Sequence, residues 1–257
     1  MHIKELFDLS GKTAIITGGG RGLGKQIAEG YAESGANVVV CSRKEEACQE
    51  VSESLAELGV GTLAIRCDIT NPGDIEDVIN KTMERFGTID ILVNNSGATW
   101  GAPAEEMPLE AWQKVINVNV TGTFLMSQAA GRVMLSQGSG KIINIASVAG
   151  LKGSNPEYMD TIGYNSSKGA VITFTKDLAV KWGPRGIFVN AIAPGFFPTK
   201  MSKALIEKGE DAFLQRTPLR KFGTENDLKG AAVFLASRAS DFMTGEVMVI
   251  DGGSHAM

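Results

Sequence analysis

Tyr164 and Lys168 stand four residues apart in Y-N-S-S-K, a spacing that puts a phenol and an ammonium on one face of a helix. A free tyrosine keeps its proton up to a pKa of about 10, too high for efficient proton exchange near neutrality. A neighbouring cation favours the phenolate, so the pair predicts a tyrosine whose pKa is lowered into use as a general acid and base. Such pairs are common on solvated helix faces, and the surrounding motifs decide their meaning. Here T-G-G-G-R-G-L-G at 17–24 follows the first apolar strand, N-N-S-G at 94–97 follows a later one, and Ser147 ends another.

Those residues need a scaffold that brings strand ends together. Short runs rich in β-branched residues recur at 13–17, 37–41, 62–66, 89–93, 141–145, 187–192 and 247–250, and read as buried parallel strands. Helical patterns lie between them at 23–34, 44–58, 75–86, 109–135, 163–182 and 225–236. Seven strands alternating with helices predict one α/β domain over 1–257, a doubly wound Rossmann-type parallel sheet with helices on both faces. Residues 200–219 interrupt the alternation and are expected to form a substrate lid over the carboxyl edge of the sheet.

The glycine turn runs from a strand directly into a helix, where backbone N–H groups and the positive helix end suit a dinucleotide pyrophosphate. Its glycines, Gly18, Gly22 and Gly24, depart from G-x-G-x-x-G, so the generic fingerprint does not describe it. At the end of the second strand, where an acid would bind the ribose 2′-hydroxyl of NAD, the chain has Ser42 and Arg43. Arg43 can clamp a 2′-phosphate through charge-assisted hydrogen bonds, with Arg21 approaching from the glycine turn. NADP(H) is therefore expected over NAD(H).

Composition narrows the partners. The net charge is −4 with no run of basic residues, which argues against nucleic acid and membrane surfaces and for small molecules. No apolar segment reaches the roughly 18 residues of a membrane span, the first ten residues lack the apolar run of a secretory signal, and the terminal S-H-A-M is no peroxisomal address. A cytoplasmic protein is expected. Cys41, Cys48 and Cys67 have no metal-ligand spacing and read as reduced thiols, while His2 and His255 are terminal, so neither a metal nor a catalytic histidine is expected.

Together these features resemble the short-chain dehydrogenase/reductase family. The resemblance runs from Gly11 to Gly253 and rests on the glycine turn, C-D-I at 67–69, N-N-S-G, V-N-V-T-G at 118–122, I-A-S at 145–147, Y-N-S-S-K at 164–168 and A-P-G-F-F-P-T at 193–199. It implies a catalytic tetrad of Asn119, Ser147, Tyr164 and Lys168. Ser147 would donate to a substrate carbonyl oxygen that Tyr164 protonates. Lys168 would lower the tyrosine pKa and hold the nicotinamide ribose, and Asn119 would anchor a water that supplies protons. By the same resemblance Gly18, Arg21, Gly22, Leu23, Gly24, Ser42 and Arg43 bind the cofactor. Asp68 and Ile69 would hold its adenine, Asn95 and Gly97 would line its centre, and Phe197 and Thr199 would fix the carboxamide. Members are commonly homotetramers, with the helices at 109–135 and 163–182 as the main two-fold interface.

The stretch from Ser147 to Tyr164 is several residues longer than the family pattern and should bulge beside the site. Tyr158 within it is a rival for the proton-transfer role, but it has Ile162 where a lysine is needed. Trp100, Leu151, Tyr158, Phe196, Phe197 and Met201 suggest a mostly apolar, aromatic substrate lining. The chain is similar to branches acting as 3-oxoacyl thioester reductases and as gluconate 5-dehydrogenases; a 3-oxoacyl-type carbonyl reductase is placed slightly ahead, with a sugar-acid oxidoreductase as the alternative. A dinucleotide-binding regulator without turnover is a reading of another class, against which stand all four tetrad residue types.

Overall fold

The computed structural model describes residues 2–200 and 202–257. In chain order the elements are α1 (Ile3–Leu6), β1 (Thr13–Thr17), α2 (Gly22–Glu33), β2 (Asn37–Ser42), α3 (Glu45–Ala56), β3 (Thr62–Arg66), α4 (Pro72–Phe86), β4 (Ile91–Asn94) and α5 (Leu109–Ile116). A π-helical turn (Asn117–Thr121) leads into α6 (Gly122–Gln137), followed by β5 (Gly140–Ile145), α7 (Ile162–Trp182), β6 (Ile187–Pro194), α8 (Lys203–Gln215), α9 (Glu225–Ala236) and β7 (Val247–Ile250). The strands form one parallel sheet in the order β3-β2-β1-β4-β5-β6-β7.

Strand alternation divides the core into two layers. Ala14, Ile16, Val38, Val40 and Val93 face Ile27 and Tyr31 of α2 and Leu228 and Ala232 of α9. Ile15, Val39, Leu92 and Ile142 face Ile75 and Val78 of α4 and Met126 and Met134 of α6. Each fully buried aliphatic side chain contributes roughly 1.5–3 kcal/mol, so a strand buried on both faces has to be apolar almost throughout. The helices are closed by local chemistry. At α4, Asn71 accepts from the Gly73 N–H at 2.9 Å, Pro72 takes the first turn, and Gly87 ends the helix at φ 73°.

Polar groups tie the layers together beneath the carboxyl edge. Asn94 Nδ2 donates to Ser127 Oγ and Asn144 Oδ1 at 2.9 and 2.8 Å, and Asn144 Nδ2 donates to Thr175 Oγ1 at 2.9 Å. This fully buried chain fixes β4, β5, α6 and α7 relative to one another. The strand order reverses between β1 and β4, which opens the crevice where ligands bind in such sheets.

Candidate active site

The glycine turn lies at that reversal. Gly18 and Gly22 adopt φ of 66° and 55°, and a Cβ on Gly24 would stand 2.4 Å from both Asn95 Nδ2 and Gly18 O. Beneath the turn, Asn95 Nδ2 donates to the Thr17 and Gly18 carbonyls at 2.9 and 3.2 Å, so the Asn95 side chain buttresses the turn. Arg21 precedes α2 in extended geometry and no side chain caps the helix. The first amides of a twelve-residue helix are thus left to an anion, which fits the residues present to a pyrophosphate. Leu23 anchors the turn in the core, and Thr199 sits over Gly22, its Cγ2 3.6 Å from where a Cβ would be.

At the end of β2, the Ser42 hydroxyl donates to Lys44 O at 2.9 Å and accepts from Lys44 N at 3.2 Å, shaping the bend that carries Arg43. Burial pushes the Asp68 carboxyl up, but hydrogen bonds from the Thr70 N–H and hydroxyl, with the charges of Arg43 and Arg66, outweigh it and hold the pKa below the usual value. Arg43 and Asp68 therefore share one neighbourhood, with Ile69 buried beside them against Gly122.

Ser147, Tyr164 and Lys168 meet on the other side of the crevice. Ser147 Oγ accepts from the Ala149 N–H at 3.1 Å. That leaves its O–H free to donate, and a hydrogen bond from Ser147 to Tyr164 pulls the phenol's pKa down. Burial is the larger influence and raises that pKa, even though the ring keeps some solvent contact. The expectation that the ammonium lowers the tyrosine is corrected here. Lys168 Nζ donates to Ile145 O at 2.6 Å and lies 5.6 Å from the tyrosine ring centroid, and its own pKa is lowered by burial to about 8. The short turn after Ser147 presses on α7 so closely that a Cβ on Gly150 would stand 2.6 Å from the Lys168 carbonyl carbon.

Asn119 occupies the π-helical turn and is almost fully buried. Its Oδ1 accepts from Ala98 N at 2.7 Å, while Nδ2 donates to Ala98 O at 2.9 Å and Ser167 Oγ at 2.8 Å. Both amide donors are used in joining the loop after β4 to α7, so an anchored water would be held through an acceptor oxygen of Asn119. Gly97 faces the same cluster, a Cβ there lying 3.5 Å from Asn119 Oδ1 and 4.0 Å from Lys168 Nζ.

Of the expected lining, Trp100 and Leu151 are exposed. Tyr158 turns onto the lid, its ring 6.2 Å from that of Phe213, and Phe196 packs on the same Phe213 at 4.1 Å. Phe197 points into the core against Gly223, so only its backbone can meet a ligand. Met201 lies outside the described residues. The expected lid contains α8, and pattern reading missed Phe213 and Ser167, which act through partners distant in sequence, and Asn165 and Asp251, which brace nearby loop and turn residues. A solitary aromatic in a charged lid segment was the one signal for Phe213.

A family profile described as Enoyl-(Acyl carrier protein) reductase matches residues 18–255. The 2-dehydro-3-deoxy-D-gluconate 5-dehydrogenase of Bacillus subtilis is 40% identical over 98% of this chain and 98% of its own. A 3-oxoacyl-(acyl-carrier-protein) reductase of Vibrio cholerae is 38% identical over 96% and 99%. Among solved structures, a gluconate 5-dehydrogenase from Burkholderia cenocepacia in complex with NADP and tartrate superposes with a TM-score of 0.94 at 36% identity, covering 100% of both chains. A parallel seven-stranded sheet with a dinucleotide turn at its reversal defines a Rossmann-type oxidoreductase scaffold. The chain belongs to the short-chain dehydrogenase/reductase family.

Proposed function

We propose that this protein interconverts a ketone and a secondary alcohol with NADP(H), using Tyr164 as general acid and base. The observation that carries this reading is the convergence of Ser147, Tyr164 and buried Lys168 across the crevice from an uncapped α2 and its glycine turn. The dinucleotide supplies the hydride in reduction and accepts it in oxidation. Gly18, Gly22 and Gly24 hold its pyrophosphate, Arg21 and Arg43 its 2′-phosphate, Asp68 and Ile69 its adenine. Gly97, Thr199 and the Phe197 backbone border its nicotinamide half.

Ser147, fixed by Ala149, donates its O–H to the substrate oxygen and steadies the charge growing there. Tyr164 gives that oxygen its proton, and a phenol whose pKa is raised by burial reaches neutral pH with the proton in place. Lys168 keeps a positive charge beside the reacting oxygen below about pH 8. Asn119 contributes by position, holding the loop that carries Gly97 against α7.

The substrate is a small ketone or alcohol of the 3-oxoacyl or sugar-acid kind, and a panel of both with each cofactor, followed by nicotinamide absorbance, separates them. The cytoplasm is the setting that suits three free, buried thiols. Exposed Leu109, Phe124, Ile162 and Val180 on α5 to α7 support a homotetramer, and a monomeric mass by light scattering would refute it.

A further inference from the structure

We infer that the 151–161 loop, the lid and the C-terminal turn close on one another as one cover, and that Tyr158 is the specificity-determining residue that keys the lid shut over a compact, untethered ketone of sugar-acid size. This rests on the oxidoreductase reading above and goes beyond it by excluding ketones carried on a long thioester arm.

Three segments form a ring. The loop is pinned beside Tyr164, since Asn165 Nδ2 donates to Ser154 Oγ and Thr161 Oγ1 donates to Asn165 Oδ1, both at 2.9 Å. From that anchored loop Tyr158 meets Phe213 of α8 edge-on, and the Arg216 guanidinium lies 4.8 Å above its ring. Phe213, 8% exposed, is held from the other side by Phe196. The helix departs from helical geometry at Gly209 (φ −146°, ψ 33°), and a Cβ there would stand 3.5 Å from Tyr158. The break lets the lid settle around the tyrosine.

Beyond α8 the lid rests on the C-terminus. Thr217 is buried against Gly252, Leu219 N donates to Gly252 O at 3.1 Å, and Pro218 packs on Gly253. Asp251 holds that turn in shape, accepting from Gly253 N at 2.8 Å, Ser254 Oγ at 2.9 Å and His255 N at 2.7 Å. Lys152 of the loop donates to Ser254 O and completes the ring. Tyr158 thus acts through the lid and is a positioning residue. The Tyr158–Phe213 contact joins loop to lid, and on this inference a thioester arm would have to part the two to leave the site.

The test compares the wild type with Tyr158→Ala and Tyr158→Phe on 5-ketogluconate and on acetoacetyl-coenzyme A, together with limited proteolysis of the lid. The wild type should prefer the free keto acid. In Tyr158→Ala its KM should rise about tenfold with a smaller change in kcat, the preference over the thioester should narrow, and lid cleavage should quicken. Tyr158→Phe, which keeps the ring, should behave as wild type and shows that the fold survives. Better turnover of the thioester by the wild type overturns the inference, as do an unchanged KM and unchanged lid cleavage in Tyr158→Ala. If the wild type reduces neither ketone, the functional reading fails by itself, and lid cleavage alone then decides whether the cover exists.

Discussion

The two flanks of the crevice are built by different means. On the β1–β3 side the proposed cofactor surface is mostly backbone: a glycine turn, the first amides of α2, and an asparagine amide bonded to the carbonyls beneath them. The side chains behind it, among them Ile15, Ile16, Val39 and Val40, are wholly buried. On the β5–β7 side the surface is mostly side chain, an aromatic trio and a C-terminal turn that meet across long stretches of sequence. Backbone recognition fixes a ligand common to many enzymes and tolerates little change, whereas side-chain packing between loops can be altered without disturbing the sheet. The first flank suits a shared cofactor and the second a particular substrate.

Tyr164 stands at the seam, and its removal should separate chemistry from both flanks. Tyr164→Phe is expected to lower turnover roughly a thousandfold while leaving NADPH affinity, read by nicotinamide fluorescence, and the melting temperature near wild type. Retained activity would remove the proposed acid and revive the regulatory reading. Within the cofactor flank, Arg43→Ala should weaken NADPH by roughly ten- to a hundredfold and NADH hardly at all. Equal losses for both would refute the clamp. Gly24→Ala is the subtler probe, because the added methyl meets Asn95 Nδ2 and Gly18 O. Overpacking of this kind costs about 1–3 kcal/mol, to be seen as a lower melting temperature and weaker binding of both dinucleotides. A variant with wild-type affinity would show that the turn is more pliable than its packing implies.

Much of this contrast was legible in the sequence, and unevenly so. The strands at 13–17, 62–66 and 247–250 fall at the residues expected, because parallel strands buried on both faces read as uninterrupted apolar runs. The fourth begins at Ile91 instead of Ile89, and just ahead of it the Asp90 carboxylate accepts from Thr13 N and Lys12 Nζ. The helix expected over 109–135 is interrupted at Asn117–Thr121. Its apolar period carries through, and the deviation coincides with Asn119 bonding Ala98, a partner 21 residues earlier. The four-residue α1 was too short to register a period. The glycine turn of the proposed cofactor flank was legible locally, because backbone turns depend on local glycines, whereas Asp68, Asn95 and Thr199 were reached only through the family resemblance. The proposed cover was legible only as an expected lid and a longer loop, because Tyr158–Phe213 and Lys152–Ser254 are tertiary matches with no local signature.

The smallest expected effect is on pH dependence, and it turns on the correction at Tyr164. Burial raises the phenol's pKa, while it lowers that of Lys168 to about 8 from the ordinary value near 10.4. As pH rises through about 8 the folded protein loses the lysine charge before the phenol gives up its proton. Ketone reduction, which uses both, should be level below about pH 7 and decline through about pH 8, falling about twofold between pH 7 and 8. Stability should move the other way. Between about 8 and 10.4 the unfolded chain still binds the lysine proton that the folded chain has released, so Lys168 contributes a rise in stability with pH across that window. A kcat/KM profile for reduction that stays flat to about pH 9.5 would mean that the ammonium is not the group the reaction uses. A decline that persists with its midpoint unmoved in Lys168→Met would assign it to another residue.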